Sequence, residues 1–187
     1  MTRRALLTAL LTLPVVAQAQ DAMAAVMAAL AAVRESGARF VEEKDIPEIE
    51  GLLTSRGTLS WRAPDRLEKR TTEPFQERLL VEGDRLLLER PDRDIHQDIA
   101  LDTAPEIRPL VEAIRATLAG DAPTLHRYFS IDFSGDLARW RMVLTPLSVR
   151  VLAAVQRIVL EGEGGAVLVV ETQGREGRNR MMVTPSR

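Results

Sequence analysis

The sequence predicts an α+β fold: a strongly curved antiparallel sheet forming an incomplete β-barrel, covered by helices. Three observations predict it. Short segments that alternate apolar and polar residues recur along most of the chain, with turn residues between them. They follow one another as hairpins, which makes neighbouring strands antiparallel. Helical segments come before the strands and in their middle. About ten strands in one sheet tend to curl. Helices over the open side would enclose apolar space, the usual geometry of a hydrophobic ligand cavity.

The chain has 187 residues, enough for one domain with its own core, expected at 20–187. Residues 1–19 read as a secretory signal peptide. Arg3 and Arg4 precede an apolar run from Ala5 to Val16, and Ala17-Gln18-Ala19 fits a small-x-small site with a cut after Ala19. The run is shorter than the ~20 residues a transmembrane span needs. The chain has no Cys, which excludes disulfides, thiol chemistry and acylation of the protein itself. The expected fate is export. Without Arg3 and Arg4 the balance is 23 basic against 27 acidic side chains, a net charge of −4. Nucleic acid is therefore not an expected partner.

Asp21 to Ser36 reads as an amphipathic helix, with Val26, Met27, Leu30 and Val33 at helical spacing and Gly37 as its C-cap. Ala38 to Ile46 reads as a first strand, broken by Pro47 and Gly51, with a loop to Arg56. From Gly57 the period is two: Leu59, Trp61 and Ala63 share one face, Ser60 and Arg62 the other. Pro64-Asp65 makes a turn into a strand at Leu67 to Thr72. Glu82-Gly83-Asp84 joins strands Glu77 to Val81 and Arg85 to Leu88, and Asp94 to Leu101 reads as one more. Ala104 to Gly120 is helical, with an apolar stripe of Ile107, Leu110, Val111, Ile114 and Leu118. Asp121 caps a short helix at Ala122 to Arg127. Strands follow at Tyr128 to Phe133 and Arg139 to Thr145, then a helical turn at Leu147 to Ala153. Gln156 to Glu161, Ala166 to Glu171 and Asn179 to Thr184 complete a meander, with Gly-rich turns.

Chemistry is sparse. His96 and His126 are the only histidines, and no nucleophile elbow, Walker loop, dinucleotide loop or zinc-protease motif occurs. Asp94, His96 and Asp98 would share a strand face and could hold a metal, but a polar outward face explains them better. Glu42-Glu43 with Glu48 and Glu50 could pair carboxylates for hydrolysis, and a solvated strand edge explains these too. Arg175, Arg178, Arg180 and Arg187 make a basic C-terminal end that reads as solvated charge. No enzyme, cofactor or metal is expected.

Gly57-Thr-Leu-Ser-Trp-Arg-Ala-Pro-Asp-Arg-Leu, followed by Glu77-Arg-Leu-Leu-Val-Glu-Gly-Asp-Arg-Leu, resembles the LolA family of periplasmic lipoprotein carriers. Phe40 in the first strand and the central helices have counterparts there too. The resemblance implies an incomplete barrel with a helical lid over an apolar cavity that takes lipoprotein acyl chains or other lipidic cargo. An inner-membrane donor complex and an outer-membrane acceptor are the implied partners, and a monomer the implied state. Cavity candidates from the sheet are Leu59, Trp61, Leu67, Leu79, Val81, Leu86 and Leu88. From the lid they are Ile107, Leu110, Val111 and Ile114. Where the family has a lid-holding arginine this chain has Ala63, beside Arg62, so these two are the expected lid contacts. A non-catalytic accessory protein of an envelope complex is the other reading. It predicts a filled core and an exposed apolar patch.

Overall fold

The computed structural model describes residues 15–45 and 51–186. One helix, α1 (Val15–Ala32), precedes a first meander of six strands. These are β1 (Glu35–Asp45), β2 (Leu52–Arg62), β3 (Arg66–Glu73), β4 (Glu77–Glu82), β5 (Arg85–Arg90) and β6 (Ile95–Ala100). Helices α2 (Arg108–Ala119) and α3 (Ala122–Tyr128) follow. The second meander comprises β7 (Phe129–Gly135), β8 (Trp140–Pro146), β9 (Val155–Glu163), β10 (Ala166–Gly174) and β11 (Gly177–Pro185). A short helix α4 (Val149–Leu152) sits between β8 and β9.

All eleven strands form one antiparallel sheet in the order β6-β5-β4-β3-β2-β1-β11-β10-β9-β8-β7. The two meanders join where β1 pairs with β11, from Ala38 opposite Pro185 to Asp45 opposite Arg178. Strands β6 and β7 are the two edges, so the curved sheet is an incomplete barrel. The connection between those edges must cross a face of the sheet. It does so as α2 and α3, which is why helices cover the sheet.

The helices do not cover it evenly. Val26, Met27 and Leu30 of α1 and Ala113 and Ala116 of α2 pack with Leu125, Trp140, Met142, Leu144 and Leu160, on the β7–β10 half. The other half has a smaller cluster of Val81, Leu86 and Leu101. Trp140 packs against Gly162, where an added Cβ would stand 2.3 Å from the indole ring. Its Nε1 donates to the Gly164 carbonyl at 3.0 Å.

Three sequence expectations need correction. The first helix ends at Ala32, and Ser36 and Gly37 belong to β1, because Glu35 to Gly37 pair with Arg62 to Ser60 of β2. Cross-strand pairing there outweighs helical propensity. For the same reason the expected loop to Arg56 is strand from Leu52 onward, matched residue by residue to β1. Asp94 stands outside β6 in a left-handed conformation (φ 52°), so it does not share a strand face with His96 and Asp98. The proposed break at Pro47, the last residue of the expected first strand (Ile46), Glu48, Glu50 and Arg187 lie outside the described residues.

Candidate functional site

Alternation decides what each strand shows to the helices. Trp61, Leu59 and Gly57 of β2 face inward with Leu67, Lys69 and Thr71 of β3, their register partners. Leu79 and Val81 of β4 and Leu86 of β5 continue that face. Between it and α2 lies a cavity of about 660 Å³. That is within the ~300–1,000 Å³ range of pockets that engulf a small ligand.

Every cavity candidate read from the sequence lines this space except Leu88. Leu88 is half-buried on β5, one inward position beyond Leu86 and away from the Val81–Leu86–Leu101 cluster where α2 begins. The second meander contributes Val167, Val170, Met181 and Val183, and α1 contributes Leu30. Sequence reasoning missed these. Met181, Val183 and Pro185 do alternate, but only the β1–β11 pairing brings them to the same face as Leu59.

The face α2 turns to this cavity is unusual for a covering helix. Ile107, Leu110, Val111, Ile114 and Leu118 all line the cavity and all are only half-buried. The positions of α2 that are fully buried are Pro109, Glu112, Ala113, Ala116 and Thr117. The large apolar side chains thus face the hollow, and the small and polar ones face protein.

Lys69 is the one cation among the lining residues. Its Nζ donates to Glu42 Oε2 at 2.5 Å and lies 4.9 Å from the centre of the Phe40 ring. Glu42 also accepts from Ser55 Oγ at 3.1 Å and from Asn179 Nδ2 at 2.9 Å. Burial pushes the Glu42 carboxyl up, but the Lys69 charge and these three donors outweigh it, and the carboxyl is held below the usual range. The expected solvated edge is therefore wrong for Glu42: it follows Phe40 at a spacing of two and points inward.

A family model described as outer membrane lipoprotein carrier protein LolA-like matches residues 15–184. The chain belongs to this LolA-like family. No curated protein sequence matches it. Among solved structures, a chain of the Pseudomonas aeruginosa MucA/MucB complex is similar at 14% identity and TM-score 0.48, over 90% of this chain and 56% of that one. The LolA-like chain thus spans little more than half of that relative. A LolA superfamily protein from Nitrosomonas europaea is similar at 11% identity and TM-score 0.41, over 90% of this chain and 91% of that one. The lipoprotein LppX of Mycobacterium tuberculosis is similar at 10% identity and TM-score 0.43, over 88% and 94%.

In this LolA-like chain the covering helix is tied down by its own arginines. Arg108 Nη2 donates to Asp84 Oδ1 at 2.7 Å, and its Nε donates to the Leu101 carbonyl at 3.3 Å. Arg115 Nη1 donates to the Gly83 carbonyl, and its Nε donates to Glu112 Oε2 at 3.2 Å. Gly83 and Asp84 form the β4–β5 turn, so both arginines fasten α2 to one hairpin. Arg62 and Ala63 do not serve there. Arg62 alternates with inward-facing Trp61, so it points outward and pairs with Glu35 Oε1 at 3.1 Å in solvent. The Ala63 N–H donates to the Arg34 carbonyl at 2.8 Å, beside the α1–β1 connection.

The other sequence candidates are on the outer surface. His96 Nδ1 lies 3.3 Å from Glu89 Oε1, and Asp98 is paired with Arg85, whose Nε donates at 3.0 Å. Among the described residues no three His, Asp or Glu side chains converge on one point. Arg178 and Arg180 are not free charge, since both donate to Glu171 Oε2, at 2.6 and 2.9 Å.

Proposed function

We propose that this protein is a periplasmic carrier that shelters the acyl chains of lipoproteins, or of other acylated cargo, and moves them towards the outer membrane. The observation that carries the reading is the α2 stripe. Four large apolar side chains of one helix, with Ile107 at its N-cap, face a hollow, while the accessory-protein reading predicts a filled core. Residues 1–19 would act as the export signal, and the mature chain would start within α1.

The energetics suit a reversible carrier. Each buried methylene gains about 0.8 kcal/mol, so ten of them gain roughly 8 kcal/mol. Association costs at least about 4 kcal/mol, so ten methylenes leave at most about 4 kcal/mol of net affinity, which permits release. Loading and release require α2 to lift from the β4–β5 turn, and the Arg108 and Arg115 ties set how easily it does so. A donor complex at the inner membrane and an acceptor at the outer membrane would bias that movement.

The test is native mass spectrometry, with lipid extraction, of the protein purified from the periplasm. The carrier reading expects a bound acylated species that is lost in Ile114→Asp, which places a carboxylate against the hollow. A wild-type protein that is empty and takes up no fluorescent acyl probe refutes it.

A further inference from the structure

The cavity wall has two charged residues: Glu163, exposed at the end of β9, and Lys69, whose setting is asymmetric. Glu42 and Lys69 form a pair, with side chains 15% and 23% exposed. Glu42 does not line the cavity, and its two oxygens already accept from Lys69, Ser55 and Asn179. Lys69 does line the cavity, and only one of its three N–H groups is used by Glu42. Glu42 shares the inward face but stands beyond Phe40 and off the cavity, so Lys69 borders the hollow while its counter-charge lies to one side of it. Leu59 and Leu79 flank Lys69 in register on the adjacent strands. The low-polarity surroundings strengthen any hydrogen bond made there.

We propose that Lys69 is a head-group anchor: its ammonium takes an anionic oxygen of an amphiphile whose hydrocarbon chain fills the apolar cavity. This rests on the carrier reading and narrows it. The cargo is a single-headed or split amphiphile whose carboxylate or phosphate oxygen enters the cavity with the chain. The Phe40 ring, its centre 4.9 Å from Nζ, fixes the ammonium independently of Glu42, so little side-chain freedom is lost when an oxygen arrives.

The test compares three ligands of one chain length by calorimetry: hexadecanoate, monohexadecyl phosphate and hexadecanol. Wild type is expected to bind at least one of the anions about tenfold or more tighter than the alcohol, the size of a charge-assisted hydrogen bond. Which anion gains more distinguishes a carboxylate from a phosphate source. In Lys69→Met the anion-to-alcohol ratio is expected to fall to near one, with alcohol affinity within about threefold of wild type. In Glu42→Gln the ratio is expected to rise, because Lys69 loses its competing partner. Should Lys69→Met fail to fold, Glu42→Gln decides alone. A ratio near one in wild type, one unchanged by Lys69→Met, or one that does not rise in Glu42→Gln overturns the anchor but leaves the carrier reading standing. Binding of none of the three ligands overturns the carrier reading, and the anchor with it.

Discussion

Arg115→Met tests whether α2 is held by its own arginines. Methionine keeps most of the aliphatic stem and removes the guanidinium. Two things are lost. One is the charge-assisted bond to the Gly83 carbonyl, worth about 1.5–3 kcal/mol. The other is the partner of Glu112, whose side chain is 6% exposed. Arg108 Nη1 remains, 3.8 Å from Glu112 Oε1, too far for a good hydrogen bond. Breaking a buried pair from one side costs about 3–5 kcal/mol, mostly because a charge is left uncompensated. The two losses together are expected to cost about 3–5 kcal/mol in urea unfolding, below the sum of their separate ranges because the Arg108 charge still lies beside Glu112. Glu112→Gln added to it removes the orphaned charge. The double variant should recover to a loss of about 1.5–3 kcal/mol, the Gly83 bond alone. Amide hydrogen exchange should quicken first in α2, before β8 and β9. A double variant no more stable than the single one refutes the charge argument. Unchanged exchange in α2 refutes the tie itself.

Two further outcomes follow from the packing. Gly162→Ala places a Cβ 2.1 Å from the Ala166 carbonyl oxygen and 2.3 Å from the Trp140 ring. Overpacking of this kind costs about 1–3 kcal/mol or more, read as a lower urea midpoint with altered tryptophan fluorescence, and an unchanged midpoint contradicts it. The second concerns acid. Glu68 is buried on the outer face, where burial pushes its carboxyl up, but bonds from Arg78 and Arg70 at 2.6 and 2.7 Å bring it below its ordinary value of 4.5. The folded state thus binds fewer protons than the unfolded one. Its contribution is present at neutral pH and is lost as pH falls below about 4.5 through the folded value. Glu68→Gln should lower stability at pH 7 and flatten the acid limb of the stability curve, and an acid limb as steep as wild type counts against this account.

Much of this architecture is legible in the sequence, and what is not has definite causes. Two-residue alternation locates the strands and Asp121 marks the start of α3, but Pro105 does not start α2: it stands in a turn, and the helix begins at Arg108 with Pro109 in its first turn. The α2 stripe was legible as apolar but not as facing a hollow, since a core stripe and a cavity stripe have the same composition. Only the burial of Ala113 and Ala116 on the opposite side separates the two. Glu42 reads as solvated because it is a carboxylate, although its spacing of two from Phe40 places it on the inward face. Arg62 was given the wrong task, although its alternation with Trp61 already pointed it outward. The Arg108 and Arg115 ties had no sequence signal, because their acceptors include the Leu101 and Gly83 carbonyls, which belong to no side chain.

The meeting of β1 with β11 has a consequence for how the chain acquires its structure. β1 is the second element made and β11 the last, yet they lie side by side at the middle of the sheet. Until β11 emerges, one flank of β1 from Ala38 to Asp45 has no native partner, and the first meander ends in a raw edge. The sheet cannot be finished piecemeal during synthesis. It depends on a pairing of high sequence separation, which slows folding. A polypeptide that folds late remains extended, and therefore threadable, for longer.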